Sequence, residues 1–204
     1  MKVYGSPGSP YVRKVRAYAA EKGVALEYVI DRPSVPGSRI AEFNPLGKIP
    51  VLMLDDGEAV YDSVVIVDYL EGLAPSPRLV PADLHGRMAV RRWEALGDGI
   101  AEAAIMISHD WGPMNDPDKR GGWVPKQQGK IERALAHLEA AITGREWLHG
   151  DAFSLADVGV VYALCYLDQV LSAFEWRSRH PALAAYAGRV ASRPSFRSTD
   201  PAAT

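Results

Sequence analysis

Asn44-Pro45-Leu46-Gly47-Lys48-Ile49-Pro50-Val51-Leu52, followed after a turn by Asp62-Ser63, decides how this sequence folds. Proline has no amide hydrogen and is normally excluded from strand interiors, so an Ile-Pro-Val step running into an apolar strand marks a special backbone. If the Ile49-Pro50 bond is cis, the kink turns the N–H and C=O of Ile49 outward. A short extended peptide can then pair with them as an added strand. Lys48 offers a cation just ahead, and Asp62-Ser63 stands where a helix should begin, with amides free to hold a carboxylate. The ligand these features fit is a small anionic peptide.

Working outward, Val3-Tyr4 reads as a short strand and Pro10 to Lys22 as a helix, with proline in its first turn and Gly23 at its stop. Ser9 stands directly before that helix. Leu26 to Ile30 is a second strand, parallel to the first if the helix is a crossover. Asp31 to Ser38 is a Pro, Ser and Gly-rich loop, and a brief helix from about Arg39 to Phe43 leads to the Pro50 strand. Val51 to Leu54 and Glu58 to Tyr61 form a hairpin around Asp56-Gly57, and Asp62 to Leu73 has helical spacing. Together these make an α/β layer resembling thioredoxin.

Ala74-Pro75-Ser76-Pro77 and Pro81 mark the sharpest change in composition. The expected division is therefore an α/β domain over 1–74, a linker over 75–83 and an all-helical domain over 84–204. Helices are expected at about Leu84 to Asp110, Pro125 to Ile142, Leu155 to Leu171 and Pro181 to Ala191, with Gly112-Pro113 and Gly121-Gly122 breaking the bundle between the first two. Ser154 and Asp157 form a capping box ahead of an apolar helix suited to the bundle centre, so Asp157→Ala should cost roughly 1 kcal/mol or more.

Composition narrows the function classes. The 204 residues are 48% hydrophobic, enough for a proper core, and a formal net charge of -2 gives no electrostatic footprint for nucleic acid or an anionic membrane. A single cysteine cannot form an intramolecular disulfide, so a reducing compartment is the economical choice. Met1-Lys2-Val3-Tyr4-Gly5 lacks the apolar run of a signal peptide, and the longest apolar run, Val158 to Leu167, is too short to span a bilayer. Cytoplasm is the expected location.

Asn44-Pro45-Leu46-Gly47-Lys48-Ile49-Pro50, Asp62-Ser63 and the βα unit Tyr4-Gly5-Ser6-Pro7-Gly8-Ser9-Pro10-Tyr11-Val12-Arg13-Lys14-Val15 resemble the glutathione site of the glutathione S-transferase family. The resemblance spans the chain. Its serine aligns it with small bacterial members, the YibF-like group among them. It implies a thioredoxin-like N-terminal domain, an all-α C-terminal domain and glutathione as co-substrate, with no metal. It also implies contacts from Ser9, Lys48, Ile49, Pro50, Asp62 and Ser63, with Lys48 at the glycyl end, Ser63 on the γ-glutamyl carboxylate and Asp62 facing the ammonium.

Ser9 is both a helix cap and, by the resemblance, the catalytic hydroxyl that donates to the glutathione thiolate. Ser6 is the competing hydroxyl. A reference thiol titrates near 8.5, so lowering it by about two units stabilises thiolate by about 2.7 kcal/mol. Cysteine classes of the family carry a thiol at this position, and the serine here argues for activating glutathione over forming a mixed disulfide with the protein. Cys165, mid-helix among apolar residues, is inert core. Arg13, Lys14 and Arg16 read as a solvated helix surface.

The family's variable second-substrate pocket falls on Tyr11, Ile105, Met106, His109 and Trp111. His109-Asp110 has no ligand at i+3 or i+4 and does not read as a metal site. The implied activity is attack of glutathione thiolate on a small, apolar electrophile, or reduction of a peroxide or disulfide. A non-catalytic glutathione-binding or interaction module is the alternative, because fold does not settle function. A thiol–disulfide oxidoreductase is weakened by the missing Cys-x-x-Cys. A two-fold homodimer is also implied, with Arg87, Arg91 and Arg92 beside Met88, Val90 and Trp93 suited to its interface.

Overall fold

A computed structural model of the chain describes residues 1–108 and 117–203. It divides into two compact units, Met1–Ala82 together with Arg193–Thr204, and Asp83–Ser192. In the first, β1 (Lys2–Gly5), α1 (Pro10–Glu21), β2 (Glu27–Ile30), α2 (Ile40–Phe43), β3 (Val51–Met53), β4 (Ala59–Val60) and α3 (Ser63–Leu73) follow in order. The sheet runs β2-β1-β3-β4, with β1 parallel to β2, as the crossover helix requires, and antiparallel to β3. This is the thioredoxin-like layer expected from the motif. Val3, Val51, Leu52, Ile66, Val67 and Leu70 are fully buried in its core.

Register brings three distant segments to one end of that sheet. Tyr4 lies opposite Val51, so the exit of β1 toward Ser9 is beside the entry of β3 from Pro50. Leu52 lies opposite Val60, which brings the exit of β4 toward Asp62-Ser63 to the same end.

One expectation for this unit is corrected. Arg13 and Lys14 are not solvated: they are 8% and 0% exposed, because α1 is covered on more than one side and only Arg16 of the three keeps a partly open position. The stretch after α3 is held by one carboxylate. Glu71 accepts from the amides of Leu79 and Val80 at 3.3 and 3.2 Å, from Tyr18 Oη at 2.6 Å and from Lys22 Nζ at 2.7 Å, and both Leu79 and Val80 are buried. This one carboxylate ties α1, α3 and the chain's exit together.

The second unit contains α4 (Leu84–Ser108), α5 (Pro117–Ile142), α6 (Leu155–Val170), α7 (Trp176–Arg179) and α8 (Pro181–Ala191). Among its described residues the regular elements are all helices, joined by short irregular stretches. Helix α5 starts two turns before the expected Pro125 and runs through Gly121-Gly122, so Pro125 lies inside it and forgoes a hydrogen bond to the preceding turn. The buried stripe Ile131, Leu135, Leu138 and Ile142 outweighs that local cost. The expected break at Gly112-Pro113 lies outside the described residues.

Helix α6 is the centre of this unit, as its apolar sequence predicted, and the Ser154–Asp157 capping box starts it. Asp157 does more than cap: beside the Ser154 amide at 2.8 Å it accepts from the Leu148 amide at 3.1 Å and Tyr186 Oη at 2.7 Å. Gly97 of α4 and Gly159 of α6 let the two backbones touch. A Cβ on Gly97 would fall 1.6 Å from the Gly159 carbonyl oxygen. Cys165 is only partly buried, less sealed than its neighbours on α6.

The segment from Arg193, which includes α9 (Pro194–Arg197), belongs with the first unit, whereas the sequence division kept it with the helical half. No single described helix is long and apolar enough to cross a membrane.

Candidate active site

The loop from Asn44 to Pro50 is organised by one buried amide. Asn44 is 2% exposed, its Nδ2 donates to the Lys48 carbonyl at 2.8 Å, and its Oδ1 accepts from the Leu46 amide at 3.0 Å. Its carbonyl takes the Gly47 amide at 2.8 Å, and Gly47 has φ +61°, a conformation glycine adopts without a Cβ clash. The peptide chain is thereby fixed on both sides of an exposed Lys48 side chain. The Ile49-Pro50 bond is cis, Pro50 is buried, and the ladder begins only at Val51.

Sequence reasoning passed over Asn44, although asparagine two residues before a turn amide is a usable signal for a side-chain-closed turn. The residue is structural cement for the loop that carries Lys48 and Ile49.

At the start of α3, Asp62 is the N-cap, and its Oδ1 accepts from the Val64 amide at 3.0 Å. That amide is therefore occupied by the protein's own carboxylate. Asp62 is exposed, and Ser63, at 3%, is nearly sealed. The Tyr61-Asp62 peptide is also cis, which no sequence signal announced.

Ser9 caps α1, with extended φ and ψ of -77° and 122° and its Oγ accepting from the Val12 amide at 3.4 Å. Its amide donates to the Ser6 carbonyl at 3.1 Å, so the loop folds back on itself and leaves both serines partly exposed. A hydroxyl that accepts from a helix amide keeps its own proton for another acceptor, and the helix terminus favours negative charge there. This is the arrangement that a bound thiolate needs.

Thus Ser9, Lys48, Ile49, Pro50, Asp62 and Ser63 all belong to the first unit and to the same end of its sheet. Tyr11 is in that unit too, partly buried, with Lys14 Nζ 5.9 Å from its ring centre. Ile105 and Met106 are partly exposed on the last turn of α4, in the second unit. His109 and Trp111 lie outside the described residues. Among those described, no group of three or more His, Cys, Asp or Glu could hold a metal ion.

Family models for the glutathione S-transferase N-terminal and C-terminal domains match residues 3–78 and 121–189. The chain is also 33% identical over 201 residues to the uncharacterised GST-like protein YibF of Escherichia coli K12, covering 98% of each. The chain belongs to the glutathione S-transferase family. Among solved members, a glutathione S-transferase from Methylobacillus flagellatus with GSH bound is 40% identical, with a TM-score of 0.89 over 97% of this chain and 98% of its own. One from Methylobacterium radiotolerans in complex with glutathione sulfonate is 37% identical, with a TM-score of 0.88 over 98% of this chain and 95% of its own. The transferase fold expected from the motif is therefore the observed one.

Proposed function

We propose that this family member binds glutathione at the sheet end of the first unit and uses Ser9 to activate its thiol. The carrying observation is the convergence, through the β1–β3 and β3–β4 registers, of the Ser9 loop, the Lys48-Ile49-Pro50 entry and the Asp62-Ser63 helix start. Ile49 pairs with the cysteinyl backbone of the tripeptide, Lys48 takes the glycyl carboxylate, and Ser63 with Asp62 takes the γ-glutamyl end. Relatives with glutathione or its sulfonate bound support this assignment.

Ser9 donates to the sulfur, so its contribution grows as the sulfur gains charge. The thiolate then attacks a small, largely apolar electrophile, or reduces a peroxide or disulfide. We place the protein in a reducing, cytoplasmic compartment on its single cysteine. We also propose a two-fold dimer. Leu84 and Met88, 75% and 57% exposed one turn apart on α4, supply apolar surface beside the exposed Arg87 and Arg92, whereas Val90 and Trp93 belong to the core instead.

Calorimetric titration with glutathione, oxidised glutathione and S-hexyl glutathione tests the site, followed by turnover with an aryl halide, a peroxide and a mixed disulfide. Ser9→Ala should lower turnover by about 1.5 to 3 kcal/mol with glutathione affinity nearly unchanged, whereas Ser63→Ala should weaken binding with little effect on the thiol. No binding of any of the three compounds removes the proposal. Equal effects of the two substitutions on the thiol contradict the separate roles of the serines.

A further inference from the structure

The segment from Arg193 onward returns to the first unit, its helix α9 packs on α1, and polar groups at both ends of α1 hold it. At the C-terminal end, Glu21 accepts from Arg193 Nε and Nη2, each at 2.7 Å, and from Ser195 Oγ at 2.5 Å. Two turns earlier, Arg13 Nη2 donates to the Phe196 carbonyl at 3.2 Å and lies 3.5 Å from the Asp200 carboxylate. The Arg13 guanidinium carbon is also 5.9 Å from the centre of the fully buried Phe196 ring.

Arg13 is 8% exposed, and its Nε is buried with no partner. A cation removed from water in this way stays only where other groups replace its hydration. The tail supplies an acceptor, a counter-charge and an aromatic face. The same residue closes the first turn of α1, because its amide donates to the Ser9 carbonyl at 3.1 Å, beside the Val12 amide that Ser9 Oγ accepts. The side chain that the tail grips and the backbone bond that fixes Ser9 belong to one residue.

We propose that Arg13 is a positioning residue for Ser9, with the C-terminal segment as the support that holds it. The proposal rests on the reading that the Ser9 hydroxyl meets the glutathione sulfur. A donor of this kind must be kept within about 0.5 Å of its productive position. The tail has no contact with the sulfur to make; it acts by keeping the first turn of α1 in register with the site.

The test uses the full chain as parent, Ser9→Ala, Arg13→Met and Arg13→Lys. Thiolate absorbance of bound glutathione is titrated against pH, with glutathione Kd and Tm measured in parallel. Arg13→Met should raise the thiol's titration midpoint in the same direction as Ser9→Ala, by about half a pH unit or more, with Kd within about twofold of the parent. Arg13→Lys, which keeps the charge, should recover most of that shift.

A lower Tm for Arg13→Met with the parent's midpoint overturns the proposal, since that is what a merely structural residue does. Should Arg13→Met not fold, Arg193→Gln loosens the segment from a partly exposed position. An unchanged midpoint together with unchanged hydrogen-exchange protection of the Arg13 amide then overturns it, and a raised midpoint supports it. Identical midpoints in the parent and Ser9→Ala remove the Ser9 reading itself, and the proposal with it, whatever Arg13 does.

Discussion

At the sheet end of the first unit a single buried amide, Asn44, keeps backbone groups of Lys48 and Leu46 in place beneath an exposed surface, whereas at the α4–α6 crossing of the second unit backbone is packed on backbone through Gly97 and Gly159. The first arrangement depends on satisfying polar groups and leaves the Lys48, Leu46 and Asp62 side chains open to solvent. The second depends on close fit, beside a hydrogen bond that Tyr162 Oη of α6 donates to Asp98 of α4. A polar clamp fails by leaving a donor or acceptor unpaired, and a close crossing fails by overlap. The two regions should therefore respond to different substitutions and through different observables.

The largest effect is expected at the crossing. Gly97→Ala puts a methyl group 1.6 Å from the Gly159 carbonyl oxygen, and because that neighbour is backbone the helices must separate. A loss of about 3 kcal/mol or more in urea unfolding is expected. Gly99→Ala, two residues away in the same helix with nothing near its added Cβ, should be neutral or gain up to about 1 kcal/mol from helix propensity. Similar losses from both would show that the close contact at Gly97 is not what sets the cost there.

At the sheet end, Asn44→Ala removes a donor to Lys48 and an acceptor for Leu46. Stability should fall by about 1 to 3 kcal/mol, and glutathione affinity should fall with it because the loop carries Lys48 and Ile49. Asn44→Asp keeps the acceptor but turns a buried carboxylate oxygen toward the Lys48 carbonyl, so its loss of stability should be at least as large. Thermal unfolding with and without glutathione separates the two responses, and an Asn44→Ala variant with parental affinity would break the link between this amide and the site.

The smallest effect concerns pH. Burial opposes ionisation of Glu21, but the hydrogen bonds from Arg193 and Ser195 and the charge of Arg193 outweigh it and hold its carboxyl below the ordinary value of 4.5. On acidification the unfolded chain takes up the proton first. The stabilisation is thus present above about 4.5 and lost as pH falls through the lower, folded value. Plotted against pH, the Tm of the parent should drop more steeply in this acid window than that of Glu21→Gln. Parallel curves would show that this tie adds nothing to the hold on α1.

Much of this was legible in the chain because the signals are local. The Ile49-Pro50 step, the Ser9-Pro10 and Asp62-Ser63 helix starts and the Ser154–Asp157 box each act within a few residues, where proline geometry and cap chemistry have few alternatives. They were enough to define the α/β layer, the all-helical half and the family, and to nominate the residues proposed for the glutathione site.

What only the tertiary structure decided involves partners far apart in sequence. Arg13 and Lys14 read as surface because nothing local says that Phe196 and Asp200 will return to cover that helix. Helix α5 extends past the glycine pair and Pro125 because the packed stripe from Ile131 to Ile142 outweighs weak local propensity. Gly97 and Gly159 look like ordinary helix-weakening residues until two backbones are seen to touch. Local sequence sets the backbone states that each segment can adopt cheaply, but burial and charge compensation are properties of pairs, and the fold alone decides which pairs meet.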